Sequence, residues 1–188
     1  MKFITSEINT HKNAMYQRLL NAFDNSVRAN TSADLERGML DPKDYPQCKH
    51  VKNSYMANSV KLNWWADKIK EETDNLCLID GDMIVLKDVE HVFDLDFDIA
   101  YTKRSAGVRM PVNGGVLFVK PSERIHDFFD KWVLTNNEML VNRPLHLQWA
   151  RVYQGINQAS FGYMIERFKS NLKIINVPCA KYNACDKV

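Results

Sequence analysis

The sequence has no apolar run long enough to span a bilayer, no dense cysteine pattern, no internal repeat and no low-complexity segment. Each absence removes a class of protein. No membrane span is expected, and "MKFITSEINTHKN" puts polar residues where a signal peptide carries its hydrophobic stretch. Four cysteines, Cys48, Cys77, Cys179 and Cys185, are too scattered for a disulfide scaffold, so reduced thiols are expected. Cys48, His50, Cys179 and Cys185 lack the spacing of a zinc knuckle, and Cys77 lies within an apolar strand. None of the seven glycines builds a G-x-G-x-x-G or Gly-Lys-Ser phosphate loop. The 25 basic and 23 acidic residues leave a formal charge of +2, with no basic tract to grip nucleic acid or anionic lipid. A soluble, cytoplasmic chain is expected, and 188 residues suit a single domain.

What is present alternates between two periodicities. "KFIT" reads as an opening strand, followed by a helix with Met15, Leu19, Phe23 and Val27 on a core-facing stripe. Residues 30–54 carry polar side chains and two prolines with little periodicity, and read as a long irregular excursion. Helical spacing resumes over 55–72 through Met56, Val60 and Trp64, and "LCLI" is a strand. "FDIAYT" and Val116–Val119 are further strands, and Pro121-Ser122 opens the clearest amphipathic helix, with Ile125, Phe128, Phe129, Trp132 and Val133 on one face. A polar stretch, "TNNEMLVNRP", precedes more helix to about Phe168, and "LKIINVP" is a late strand. Strands alternating with helices predict an α/β fold with a mostly parallel sheet flanked by helices. His91 and His126 are expected to be partly buried structural residues, and Trp64, Trp65 and Trp132 core residues, with Trp149 available to stack on an acceptor.

The chemistry concentrates in "LCLIDGDMIVL", where Asp80 and Asp82 flank Gly81. Burying a carboxylate without a partner is costly, so the pair calls for a cation, hydrogen bonds or an exit to water. In extended backbone, residues two apart point to one side, so both carboxylates can converge at the end of the strand, where open α/β sheets bind ligands. Mg²⁺ or Mn²⁺ bridging substrate phosphates suits such a point. A solvated Asp-Gly-Asp turn accounts for the three residues equally well when they are taken alone. "IDGDMI" also resembles the nucleophile motif of haloacid-dehalogenase-like phosphatases, but Ile84 stands in its last place and no G-D-x-x-x-D follows.

A wider block, "KLNWWADKIKEETDNLCLIDGDMIVLKDVEHVF", then "DIAYT", then "VNGGVLFVKPS", resembles the GT-A-fold glycosyltransferases. It is closest to their retaining group, which includes glycogenin and the bacterial lipopolysaccharide galactosyltransferases. The resemblance runs from about Lys61 to Ser122. It implies a GT-A-like domain that transfers a sugar from a nucleotide-diphosphate sugar, with uridine the expected base, to a glycan, lipid or protein acceptor. By that resemblance Asp80 touches the donor, Asp80 and Asp82 on either side of Gly81 hold Mn²⁺ or Mg²⁺, and Lys61 lies by the donor sugar or phosphate. Asn113, Gly114 and Gly115 match a block where missing β-carbons let the sugar approach the backbone, and Thr5 and Ser6 fall near the nucleobase. The family's Asp-Gln pair is matched by Asn157-Gln158, or in another register by Tyr153-Gln154, and neither has the acid. The family's C-terminal histidine ligand has no counterpart after His146, which leaves Asn183, Asp186 or water in its place. A degenerate sugar-nucleotide-binding protein is the first alternative, and a nucleotidyltransferase a more distant one.

Overall fold

A computed structural model describes residues 1–8, 13–104, 110–168 and 172–184. Six strands, β1 (Lys2–Ile8), β2 (Asp34–Leu40), β3 (Leu76–Ile79), β4 (Ile99–Lys103), β5 (Val112–Val119) and β6 (Ile174–Pro178), form one sheet in the order β2-β1-β3-β5-β4-β6. Strand β5 pairs antiparallel with both β3 and β4, and the other pairings are parallel. The sheet is therefore mostly parallel, with one reversed strand inside it.

All four residues of β3 are buried because both faces of the sheet are covered. Leu76 and Leu78 face a core built with α2 (Asn53–Glu71), α3 (Glu123–Val141), α4 (Arg143–Tyr153) and α5 (Asn157–Arg167). Cys77 and Ile79 face the opposite core, with Phe23 and Val27 of α1 (Ala14–Asn30) and Val92 and Phe93 of a short helical turn. A final short helix, α6 (Cys179–Tyr182), follows β6. Helix α2 lies so deep that Ser59–Ala66 is buried without interruption. Its polar members are tied across helices: Asn136 of α3 donates to Ser59 Oγ at 2.7 Å and accepts from Ser160 Oγ of α5 at 3.2 Å. Trp132 Nε1 completes the set by donating to Ser160 Oγ at 2.9 Å.

Several expectations need correction. The excursion over 30–54 contains β2, which pairs with β1 across seven residues. Its polar side chains are half-exposed because it is an edge strand, and Glu36 and Arg37 are held by Lys68 and Asp24. In α1 the buried residues are Leu20, Phe23, Ser26 and Val27, while Met15 and Leu19 face solvent. "TNNEMLV" continues α3, since Asn136 serves the buried network. Trp149 is core, stacked on Tyr153, and so offers no open platform to an acceptor. His91 is exposed, its Nε2 meeting Tyr182 Oη at 3.2 Å. Cys179 is disulfide-bonded, against the expectation of reduced thiols throughout, while Cys48 and Cys77 are free.

Candidate active site

The reversal of β5 assembles the site. Because β5 runs against its neighbours, its first residues reach the edge where β3 and β4 end: Ile79 pairs with Val116 and Thr102 with Asn113. Asp80 follows β3 directly, and its N–H donates to the Gly115 carbonyl at 2.9 Å. The carboxylate of Asp80 faces two ways. Its Oδ1 accepts from Lys61 Nζ, while its Oδ2 lies 3.3 Å from the point a β-carbon on Gly115 would occupy. Lys61 is 8% exposed, and its ammonium also sits 4.6 Å from the centre of the Trp65 ring. It is a buried lysine reserved for Asp80, unlike an ordinary surface lysine.

Strand β1 pairs with β3 only as far as Ile4, so its last residues project past Asp80 and leave a notch. A cavity of about 270 Å³ fills the notch, lined by Ser6 and Ile8 of β1, Tyr16 of α1, Ala57, Asn58 and Lys61 of α2, and Asp80, Gly81 and Asp82. The two carboxylates arrive there through a turn rather than along an extended strand, since Met83 N–H donates to the Asp80 carbonyl at 3.3 Å. Gly81 sits at the crowded point of that turn, where a β-carbon would meet Leu20 at 2.4 Å. Asp82 is exposed at the cavity. Burial, then the charges of Asp82, Asp80 and Glu7, holds the Tyr16 phenol above its ordinary value. Ser6 Oγ is buried on the cavity wall with no hydrogen-bond partner, a polar atom left for a ligand. Thr5 does not line the cavity. It is fully buried, with its equally unpartnered Oγ1 behind Gly81.

On the other side of Asp80 lies a shelf made by β5. Gly114 N–H donates to Gln158 Oε1 at 2.9 Å, and Gln158 Nε2 donates to the Tyr153 carbonyl at 3.3 Å. Asn113 Oδ1 accepts from Gly115 N–H at 2.8 Å, and Asn183 Nδ2 donates to Thr102 Oγ1 at 3.1 Å. Helix α5 has no side-chain cap at Ile156, and Asn157 at its start lies beside Gly114. The structure thus brings Asn157-Gln158 to the shelf. In the alternative pair, Tyr153 is a core residue whose hydroxyl donates to Glu166 at 2.6 Å.

The donor set suits a hard divalent cation that keeps much of its water: the carboxylates of Asp80 and Asp82, with the Asn183 amide oxygen left over once Thr102 has taken its nitrogen. Among the described residues no group of three or more histidines, cysteines, aspartates or glutamates could by itself hold a metal ion. Asp186 lies outside the described residues. Sequence reasoning missed Tyr16, Asn58 and Thr102. Only Asn58 had a signal, three residues before Lys61 and hence on the same face of α2.

A mostly parallel sheet with one reversed strand, and two carboxylates in a turn at its carboxyl edge, is the arrangement of a GT-A fold. No family model matches the sequence, and no curated protein does. Solved structures share the architecture. The chain superposes with a TM-score of 0.62 and 14% identity on a glycosyltransferase involved in the glycosylation of the major capsid of PBCV-1, over 95% of this chain and 82% of that one. It matches the glycosyltransferase GlyE of Streptococcus pneumoniae TIGR4 at 0.60 and 14% identity, over 97% of this chain and 49% of that one, about half of GlyE's length. The galactosyltransferase LgtC gives 0.51 and 12% identity, over 95% and 74%. The fold is that of the GT-A glycosyltransferases.

Proposed function

We propose that these 188 residues form the catalytic domain of a metal-dependent glycosyltransferase. It takes a sugar from a nucleotide-diphosphate donor, with uridine the expected base, and passes it to a glycan, lipid or protein acceptor with retention of configuration. The observation that carries the reading is the position of Asp80 between a cavity with a buried lysine and a glycine shelf backed by Gln158. LgtC, solved with donor and acceptor sugar analogues, supports a sugar donor and a sugar acceptor.

Each residue then has a task. Asp80, Asp82 and Asn183 would hold Mn²⁺ or Mg²⁺, which supplies positive charge to the leaving diphosphate. Lys61 offsets the same charge from the protein side, at no cost of reorganisation because Asp80 and Trp65 already fix it. Ser6 and Tyr16 bound the nucleoside end of the cavity, and Gly114 and Gly115 let the sugar lie against backbone. Gln158 Nε2 keeps one N–H beyond its bond to Tyr153 and directs it at the transferred sugar. With retention, no dedicated base for the acceptor hydroxyl is required, in keeping with an amide pair at Asn157-Gln158.

The test is a calorimetric titration with UDP-, GDP-, ADP- and CMP-sugars, in Mn²⁺ and then in EDTA, on the wild type and Asp82→Ala. Metal-dependent binding of one sugar nucleotide, lost in the variant, is expected. Absence of binding to every donor would sink the proposal. The amides in place of the family's acid also favour a second reading, a binding protein without turnover. Donor binding with neither transfer nor hydrolysis would establish it.

A further inference from the structure

The shelf depends on an unusual piece of backbone. Helix α4 ends at Tyr153 and is capped by Gln154, which takes φ 54° and ψ 173°, and Gly155 follows at φ 60°. The first conformation is one that almost only glycine adopts, so something outside the two residues must hold the chain there. Gln154 N–H still bonds the Ala150 carbonyl at 3.1 Å, but that bond belongs to the helix and does not fix what comes next. A contact from outside the turn comes from His146. Its Nε2 donates to the Gly155 carbonyl at 2.7 Å, and its ring is 7% exposed, packed edge-on to Tyr55 of α2 with centroids 5.2 Å apart. Three residues beyond Gly155, Gln158 turns back with both ends of its amide engaged, Oε1 by Gly114 N–H and Nε2 by the Tyr153 carbonyl.

We propose that His146 is a positioning residue that pins the Gln154-Gly155 turn and thereby sets the Gln158 amide against Gly114. The placement follows from geometry alone. Its meaning for turnover rests on the glycosyl-transfer reading, in which Gln158 meets the sugar. Without the pin, Gln154 relaxes toward ordinary backbone, α5 loses its fixed start, and Gln158 leaves the shelf while the sheet stays intact.

Gly114 N–H gives a direct readout, since its partner is the Gln158 side chain. The chain has seven glycines, so ¹⁵N-glycine labelling yields a spectrum in which hydrogen exchange at Gly114 can be followed beside Gly38 of β2 as a control. In His146→Phe, which keeps an aromatic ring against Tyr55 but has no donor, exchange at Gly114 is expected to rise about ten-fold, the effect of losing one ordinary hydrogen bond. Gly38 should not change, and His146→Gln, whose amide can still donate, should restore protection. Unaltered protection at Gly114 in His146→Phe overturns the inference. So does a general loss at all glycines in His146→Phe, which would make the histidine merely structural, and so does failure of His146→Gln to restore protection. None of these outcomes depends on finding a donor, so the inference can fail while glycosyl transfer stands, and the reverse. If transfer is found, His146→Phe should lower kcat more than it raises KM for the donor.

Discussion

Gly114 and Gly115 are neighbours on one strand, yet substituting each by alanine should give opposite results. Neither needs positive φ, so the backbone of both accepts a β-carbon. At Gly114 the new carbon would stand 3.4 Å from Gln158 Cγ, an ordinary contact. Replacing glycine there restricts the unfolded chain and should stabilise by about 0.4–1 kcal/mol. At Gly115 it would stand 3.0 Å from Asn113 Oδ1, 3.2 Å from Asn183 Nδ2 and 3.3 Å from Asp80 Oδ2. All three neighbours are anchored, by Gly115 N–H, Thr102 and Lys61 respectively, so they can yield only by lengthening those bonds. Overpacking of this kind costs about 1–3 kcal/mol, which outweighs the unfolded-state gain. In a chain of this size 1 kcal/mol moves Tm by about 2–4 °C. Thermal melts should therefore show Gly114→Ala at or slightly above wild type and Gly115→Ala several degrees below it. Mn²⁺-dependent binding of the donor should weaken by about ten-fold or more in Gly115→Ala, because Asp80 and Asn183, two of the three residues displaced, are the ones proposed to hold the metal. Equal melts and equal donor binding in the two variants would refute the picture of Gly115 as the point where Asp80, Asn113 and Asn183 converge.

Further outcomes follow from the same geometry. In Asp82→Asn the Tyr16 phenol should titrate at lower pH than in wild type, because a negative charge that raises it is gone, second in effect only to burial; ultraviolet titration reads this without any ligand, and an unshifted phenol would separate Tyr16 from the carboxylates. Asn136→Ala leaves the fully buried Ser59 hydroxyl without its donor, while Ser160 keeps Trp132 and the Asn157 carbonyl, so chemical denaturation should show a loss of about 1–3 kcal/mol; a loss well under 1 kcal/mol would mean that water replaces the amide. Burial pushes the Cys48 thiol from 9.0 up to about 11 and the Cys77 thiol further still. The unfolded chain therefore releases these protons first, and the thiols' contribution to stability is complete below pH 9 and falls as pH rises above it, through 11 for Cys48 and beyond for Cys77. Urea midpoints should fall over that window more steeply in wild type than in a Cys48→Ala, Cys77→Ala double variant, and equal slopes would contradict the burial.

Much of this architecture was legible because its signals are local. The run Leu76–Ile79 reads as a strand, and the structure buries all four of its residues; Ile125, Phe128, Phe129, Trp132 and Val133 mark the face of α3 that packs on the core, with Val133 at its margin. Strand β2 escaped because an edge strand with ion-paired side chains shows no alternation, and its Gly38 is explained only by Trp64, whose ring would lie 2.4 Å from a β-carbon there. The stripe Met15-Leu19-Phe23-Val27 assumed strict four-residue steps. An α-helix drifts from that spacing, and Leu20 took the buried place. Asp80 and Asp82 stand out in the sequence, but the turn that carries them does not, since Asp-Gly-Asp fits either a turn or a strand end until the Met83–Asp80 bond is known. Tyr16 and Thr102 reach the site only through the sheet order, which no short window of sequence contains.

That order carries the strongest structural constraint on the site. Asp80 closes β3, Thr102 lies near the end of β4, and Asn183 follows β6 by way of α6, so all three belong to one edge of the sheet by strand direction. Asn113, Gly114 and Gly115 begin their strand. Had β5 run parallel to β3 and β4, those residues would open at the far edge, about 20 Å or more away over an eight-residue strand. Only the reversed strand puts backbone without β-carbons beside the carboxylates, and only there can Gln158, reaching from α5, bond Gly114. The reversal is therefore the feature that joins a carboxylate cavity to a backbone shelf. In this chain Asp80 is the residue that spans the joint, with its N–H on Gly115 and its carboxylate on Lys61.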